Sequence, residues 1–241
     1  DRGGLNALNL NTDTFKYFRQ KDATSGSASN HILQIEIGDK NNLWLGTLFG
    51  GLYSFDTKTE EFTQVNFNNT GLDDLSVNRI RSIKADSSGN LWIASAMGLH
   101  QYDVKSGKTL NFYNNANGTN LANFINMIIE GKEKNIWLAL SQSEGIVKFD
   151  PDAEEFKTYN IPSAQCIFQE EESIWVGTSS NGLFQIDIKT DVIKKHTSSK
   201  LSGGNVVGIL ADDNNNLWLS SNDGLFQFNK ANGNFKRLQR E

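Results

Sequence analysis

One cysteine, two prolines, two methionines and three histidines in 241 residues leave several chemistries without material. Cys166 has no partner for a disulfide and no second thiol for a cysteine-based metal site. It stands in the apolar stretch Cys166-Ile167-Phe168, where a buried core residue is expected. His31, His100 and His196 lie in three different kinds of position, and no pair has the local spacing of a zinc site. No stretch reads as an amphipathic helix over three turns, and none resembles a signal peptide or a membrane span. Basic residues are not clustered. The 23 Lys and Arg are interleaved with 28 Asp and Glu for a formal charge of −5, which argues against a nucleic-acid surface.

What the chain has instead is a repeat. Asn41-Asn42-Leu43-Trp44-Leu45-Gly46-Thr47, closed by Gly50-Gly51-Leu52, returns as Gly89-Asn90-Leu91-Trp92-Ile93-Ala94-Ser95 with Gly98-Leu99. It returns again around Trp137 with Gly145-Ile146, Trp175 with Gly182-Leu183, and Trp218 with Gly224-Leu225. All five tryptophans occupy this one place, at intervals of 48, 45, 38 and 43 residues. A strand-rich repeat of about 40–50 residues is the sign of a β-propeller blade or a related array.

Five residues after each Gly of the Gly-Leu pair stand Asp56, Asp103, Asp150, Asp187 and Asn229; three further on come Thr59, Ser106, Ala153, Thr190 and Asn232. Such an acid or amide folds its side chain onto the following backbone and starts a tight turn. Phe62, Thr109, Phe156, Ile193 and Phe235 follow after three more, with Leu110 one place late in the second copy. Gly-Leu to Asp therefore reads as a strand with one face inward, and the Phe series as the returning strand of a hairpin. Before each Trp strand runs another apolar strand, preceded by an amide: Asn30, Asn78, Asn123, Gln165 and Asn205. This predicts four strands per blade.

The fold class expected is all-β, a propeller of four-stranded antiparallel blades forming a single segment over 1–241. Blades are predicted at about 30–67, 77–114, 122–160, 164–197 and 204–239. Residues 3–19 match the second half of a blade, with Asn9, Thr12 and Phe15 falling where Asp56, Thr59 and Phe62 do. The expectation is therefore part of a longer propeller.

The order amide, apolar strand, Asp-x-x-Gly-Asn-Leu-Trp-Ile-like strand, Gly-Gly-Leu, Asp-x-x-Thr, Phe resembles the two-component regulator propeller repeat. Such repeats occur in periplasmic sensor regions of bacterial hybrid two-component systems, especially those of gut Bacteroidetes. There they build seven-bladed propellers, often two in tandem, followed by a β-sandwich, a membrane helix and a cytoplasmic histidine kinase. The resemblance implies a periplasmic, non-catalytic segment that senses an oligosaccharide without cofactor or metal. Its implied partners are the remaining blades and further domains of a parent sensor, with a homodimer possible in that parent; nucleic acid and membrane contact are not expected. The third and fourth copies depart most, through Leu138-Ala139-Leu140 and Glu170-Glu171-Glu172.

The alternatives are a protein–protein interaction platform and, less favoured, a propeller lyase or hydrolase. Asp86-Ser87-Ser88-Gly89-Asn90-Leu91-Trp92 comes close to a sialidase Asp box, but its Asp and Gly are three apart instead of two. Glu36 and Glu130, candidate channel acids, occupy different aligned positions. The Trp series reads as packing between blades, and the amides as caps on neighbouring backbone. For ligand contact, the loops between second and third strands offer Phe49, Met97, Gln142, Asn181, Asn222 and Asp223. The connectors bring His31, Asn78, Arg79, Asn126 and Asn205 to the same side. Phe49 and Arg79 lead this set. No catalytic residue is assigned.

Overall fold

The computed structural model describes residues 4–20, 31–39, 41–67, 78–112, 121, 124–141, 145–199 and 201–238. Its 22 strands form a hairpin and five four-stranded antiparallel sheets, each sheet built from consecutive strands. The hairpin pairs β1 (Leu5–Asn9) with β2 (Thr14–Phe18). The first sheet holds β3 (Ile32–Ile37), β4 (Asn42–Thr47), β5 (Leu52–Asp56) and β6 (Glu61–Val65). The second holds β7 (Ile80–Ala85), β8 (Asn90–Ser95), β9 (Gly98–Asp103) and β10 (Thr109–Phe112). The third holds β11 (Ile125–Glu130), β12 (Ile136–Leu140), β13 (Gly145–Asp150) and β14 (Glu155–Asn160). In the fourth are β15 (Ala164–Glu170), β16 (Ser173–Thr178), β17 (Leu183–Asp187) and β18 (Ile193–His196). In the fifth are β19 (Gly208–Ala211), β20 (Asn216–Ser221), β21 (Gly224–Asn229) and β22 (Phe235–Arg237). The chain divides into two compact bodies, Asp1–Ile125 and Asn126–Glu241.

In the first body, Leu5, Leu45, Tyr53 and Phe55 join the hairpin to the first sheet. Trp44, Leu52, Ile80, Ile83 and Ile93 join the first sheet to the second. In the second body, Trp137, Ile146, Ile167 and Val176 bind the third sheet to the fourth. Trp175, Leu183, Leu217, Phe226 and Phe228 bind the fourth to the fifth. At about 1.5–3 kcal/mol for each large apolar side chain buried, these seams dominate the stability. The Trp strands are buried more completely: all of β12, and β8 and β16 after their first residue, are buried on both faces.

Each hairpin turn is made as its residues predict. Asp56 Oδ1 accepts from the Lys58 and Thr59 amides at 2.8 and 2.9 Å, and Asp187 Oδ1 from Lys189 and Thr190 at 3.0 and 2.8 Å. These backbone donors hold the Asp56 and Asp187 carboxyls below the usual range. Four residues past the turn acid the backbone is left-handed in all six copies, at Asp13, Glu60, Gly107, Glu154, Asp191 and Gly233. Two of the acids tolerated there have a partner. Glu60 pairs with Lys16 on the preceding hairpin. Asp191 takes the Lys157 ammonium at 2.6 Å and the Tyr159 hydroxyl at 2.7 Å from the preceding sheet. Lys157 and Tyr159, in that order, lower the Asp191 carboxyl, while burial and then Asp191 raise the phenol.

The returning strands keep one register: Phe55 faces Phe62, Phe149 faces Phe156, and Phe228 faces Phe235, with ring centroids 4.7, 4.3 and 4.7 Å apart. In the second sheet Thr109 takes the place opposite Tyr102, and its hydroxyl donates to the Phe67 carbonyl. Leu110 is one register step out and 58% exposed, so it does not replace the missing Phe. Cys166 is buried as expected, and that burial pushes its thiol up to about 12.

The amide series requires correction. Gly51 N donates to Asn78 O at 2.9 Å, and Gly182 N makes the equivalent bond to Gly204 O at 2.6 Å. The fifth-sheet counterpart of Asn78 is therefore Gly204, and Asn205 stands one place later. Gln165 is the extra residue of a β-bulge between Ala164 and Cys166. The first and second sheets carry the same bulge at Leu33 and Arg81, so Gln165 is the counterpart of Arg81 and not of Asn78. Asn30 and Asn123 lie outside the described residues.

Two glycines separate backbone strain from steric blockage. Gly107, at φ +71°, has nothing within 4 Å of an added Cβ, so Gly107→Ala should cost only about 1 kcal/mol, for the left-handed backbone. Gly145, at φ +68°, would place its Cβ 1.4 Å from the Ile161 carbonyl oxygen. Gly145→Ala should cost roughly 3 kcal/mol or more. Urea unfolding midpoints of the two variants, read at equal slope, check the difference.

Candidate functional site

The five tryptophans share one place in the second strand, but their indole N–H groups do not share one solution. Trp92 donates to Asp86 Oδ2 at 2.9 Å, and Trp218 to Asp212 Oδ2 at 2.8 Å. Both acids stand six residues upstream, and each also accepts the amides of its turn, Ser88 and Asn90 or Asn214 and Asn216. Burial works to raise the Asp212 carboxyl, yet the donors from Asn216, Trp218 and Asn214 outweigh it and bring it to about 2. In the first and third sheets Gly38 and Gly131 hold the acid's position, and an added Cβ would meet Trp44 Nε1 at 2.9 Å and Trp137 Nε1 at 2.8 Å. The indole has filled the space. In the fourth sheet, whose turn is one residue shorter, strand pairing puts Glu170 at the position, and Lys230 takes its carboxylate at 2.7 and 2.5 Å. Trp175 Nε1 is buried there without an acceptor. Sequence reasoning took the Asp86 turn only as a near miss to an Asp box. An acid six residues before Trp in two of five copies was the available signal.

The candidate ligand residues divide between the two bodies. In the first, loop and connector backbones meet: Leu48 N donates to His31 O at 2.9 Å, and Ala96 N to Arg79 O at 3.0 Å. Phe49 is half exposed at the tip of its loop. Arg79 is half-buried, with Nε enclosed and unpartnered. An added Cβ on Gly51 would touch the Asn78 side-chain oxygen at 2.8 Å, and Met97 packs on the apolar cluster around Trp44. In the second body, Asn126 Nδ2 donates to Ala164 O at 2.8 Å and Asn205 Nδ2 to Ser179 O at 3.4 Å. Both amides thus cap backbone of the neighbouring sheet. Asn205 Oδ1 is enclosed without a donor. Asn181 borders a cavity of about 130 Å³ with Lys195, Thr197 and Gly204. Asn222 is exposed, and the Asp223 amide donates to Ser221 Oγ at 3.0 Å. Gln142 lies outside the described residues.

A larger cleft opens at the other end of the fourth and fifth sheets, beside the turns between their first and second strands. Its cavity volume is about 510 Å³. One wall is a polar row across the fourth sheet: Gln185 Nε2 donates to Ser173 Oγ at 2.9 Å, and His196 Nε2 lies 3.3 Å from Gln185 Oε1. Behind it, Trp175, His196 and Phe228 form an aromatic cluster, with centroids 5.4, 5.7 and 4.9 Å apart. Glu170, Glu171, Lys194, Asp212, Asp213, Asn215 and Lys230 complete the lining. Lys230 reaches Glu170 at 2.5 Å and ties the two sheets together. Burial, then the neighbouring Lys194 charge, push the His196 imidazole down to about 4, so it is neutral at pH 7.

One arrangement has the outline of acyl-transfer chemistry. Ser95 Oγ lies 2.7 Å from His100 Nε2, and His100 Nδ1 lies 2.6 Å from Asn111 Oδ1. Both Ser95 and His100 are almost wholly buried, and burial lowers the imidazole against the Asn111 hydrogen bond. Thr47 and Thr178 occupy the serine's place in other sheets, where each hydroxyl donates to the carbonyl of its loop Gly at 2.9 Å. A nucleophile needs substrate access; Ser95 closes a loop. Glu36 is likewise structural, bound to Lys84 Nζ at 2.6 Å and to the Ala85 amide at 3.2 Å. Among the described residues no three His, Cys, Asp or Glu side chains are placed to hold a metal ion.

Residues 74–96 and 200–223 match the two-component regulator propeller family model. No curated protein matches the sequence. Among solved structures, the chain resembles the extracellular domain of the hybrid two-component system BT3049 from B. thetaiotaomicron. Identity is 22% and the TM-score 0.76, over 95% of this chain and 31% of that one. The corresponding domain of BT4673 from B. thetaiotaomicron gives 22% and 0.78, over 95% and 32%. A catalytically inactive virginiamycin B lyase from Staphylococcus aureus, with quinupristin, gives 13% and 0.74, over 96% and 75%. The chain spans about a third of the length of the sensor domains. At these identities the likeness to solved structures carries the fold alone.

The three indole arrangements predict unequal costs. Asp86→Ala strands the buried Trp92 N–H and two turn amides and should cost about 2–3 kcal/mol. Trp175→Phe removes an N–H that has no acceptor, so it should cost less than Trp92→Phe by about 1 kcal/mol. Denaturant unfolding of the three variants checks the order. For His196 the sign follows from its depressed pKa: its contribution is full above about pH 6.5 and is lost as pH falls through about 4. His196→Gln should therefore lose less stability than the parent between pH 6.5 and 4, read as urea midpoints across that range.

Proposed function

The chain carries two-component regulator propeller repeats in an all-β propeller fold, and from that premise we propose that it is the ligand-sensing, non-catalytic part of a bacterial two-component sensor. Its ligand is an oligosaccharide, its site of action the periplasm, and its output a histidine kinase outside this chain. The observation that carries the reading is the family match at 74–96 and 200–223, one stretch in each compact body. Likeness to extracellular domains of two-component systems supports it. The remaining blades and further domains of a parent sensor, paired there as a homodimer, are its natural partners.

A sensor converts binding into a shift between two arrangements, so its ligand must bind one of them better than the other. It needs no nucleophile and no acid–base pair. The buried Ser95–His100–Asn111 chain and the tied-down Glu36 are consistent with that economy. The lyase likeness is one of fold, and the cleft in the fourth and fifth sheets holds a neutral His196 hydrogen-bonded within its own wall. On the loop side Phe49, as an apolar wall, and Arg79, as a donor, are the residues proposed to meet the sugar.

Calorimetric titration of the full-length protein with a panel of defined oligosaccharides, run beside product analysis, tests the proposal. Binding without turnover is expected, with or without added Ca²⁺ or Zn²⁺. Replacing Phe49 and Arg79 together by Ala should weaken binding at least tenfold if the loop side is the site. Steady product release at low protein concentration would make the protein an enzyme. Capture of a protein partner with no glycan bound would favour an interaction platform.

A further inference from the structure

Each Trp strand leaves room for the sheet that follows it. An added Cβ on Gly46, two residues after Trp44, would meet Ile80 Cγ2 of the second sheet at 2.7 Å and Ile83 Cγ2 at 3.7 Å. On Gly177, two after Trp175, it would meet Val206 Cγ1 of the fifth sheet at 2.7 Å. Ala94, Ala139 and Ser220 keep this place small in the other copies. Ile83, Ile167 and Ile209 pair with the residue after each Trp and pack on the preceding sheet, where they are 1, 2 and 8% exposed. In the first sheet that position is Ile35, paired with Leu45, and it is 45% exposed; Ile37 is 77% exposed. The hairpin covers Leu43, Leu45, Tyr53 and Phe55 of the same face and stops short of this ledge. Leu8 faces Phe15 as Phe55 faces Phe62, so β1 and β2 hold the places of a third and a fourth strand. Among the described residues β1 pairs with β2 alone, and its open edge is the one that meets a Trp strand in every full sheet.

We propose that the β1 edge and the Ile35–Ile37 ledge form a docking site for one further strand pair of this repeat, contributed by the remaining part of the sensor. Register fixes its chemistry. In the first sheet Gly46, Trp44 and Asn42 face Leu52, Ser54 and Asp56. The second strand of the docking pair therefore lies antiparallel to β1, with a small residue facing Leu5, Trp facing Ala7 and an amide facing Asn9. The small residue lies against Ile32, which holds the place of Ile80. A larger side chain there collides with the isoleucine, since even a Cβ on Gly46 meets Ile80. The first strand of the pair is apolar and covers Ile35 and Ile37, because β3 and β4 both lie against β7 in the seam between the first and second sheets. An unrelated extended peptide meets the same backbone edge but brings no small residue to Ile32 and no apolar strand to the ledge. Only the source of the segment rests on the sensor reading.

A synthetic peptide with the sequence of residues 78–96, which spans a first strand, its turn and a Trp strand, is the probe. Titrated to about 1 mM into the 241-residue chain, it should bind saturably and slow amide exchange at residues 5–9. The same peptide carrying Ala94→Leu should bind about tenfold more weakly. In the chain, Ile35→Lys with Ile37→Lys should weaken binding of the unaltered peptide about tenfold and leave the urea midpoint in place, because both side chains are exposed. In the full-length protein the site is already filled, so residues 5–9 should exchange slowly without peptide. The proposal is overturned by no saturable binding, by binding that leaves exchange at residues 5–9 unchanged, or by equal binding of the Ala94→Leu peptide. Fast exchange at residues 5–9 in the full-length protein overturns it too. Protection of residues 5–9 that grows with concentration of the chain alone would assign the edge to a second copy, and also overturns it. None of these outcomes depends on glycan binding, so the docking site and the sensor reading fail separately.

Discussion

The constraint on which the rest depends is that neighbouring sheets within each body must bury their apolar side chains against one another. The fourth sheet, with β16 buried after its first residue between the third and fifth, has no solvent face to fall back on. It is stable only between neighbours. Tryptophan solves the packing at each seam because it fills a large volume with one side chain. That choice creates a second problem, the buried indole N–H. The sheets answer it three ways: a carboxylate from the turn, a glycine that lets the ring move in, or an N–H left buried without an acceptor.

The fold was largely legible in the sequence, because its determinants are local and repeated. Trp at one place, Gly-Leu, the turn acid and the following Phe specify strand, turn and strand without any long-range contact. The left-handed position four residues past the turn acid was not legible, since Asp13, Glu60, Glu154 and Asp191 do not advertise a positive φ as glycine would. The amide series misled for a related reason. Residue type suggested equivalence, whereas backbone pairing makes Gly204 the counterpart of Asn78, and Gln165 the counterpart of Arg81.

The candidate site was less legible than the fold. Loop position can be counted from a sequence, so Phe49, Arg79 and Asn181 could be placed at one end of their sheets. The cleft could not, because it depends on how the fourth and fifth sheets pack together. Glu170-Glu171-Glu172 was visible as a departure and read as a solvated turn. Its consequence, an indole whose acid Glu170 is taken by Lys230, appears only once the partners in the second and fifth sheets are known. The polar row of Ser173, Gln185 and His196 is likewise a product of cross-strand register.

The acids at the left-handed turn position bear on how freely such repeats can be rearranged. Lys16 with Glu60, and Lys157 and Tyr159 with Asp191, each join one copy's outer strand to the next copy's turn. The copies at Gly107 and Gly233 have no side chain to offer there. Exchanging the second copy for the fourth would therefore preserve every strand and turn but leave Lys157 and the Tyr159 hydroxyl unmatched. The repeats are alike as folding units and unlike as neighbours. Their order is written into the seams, so gene-level shuffling of these segments would be penalised at the joins before it was felt in any blade.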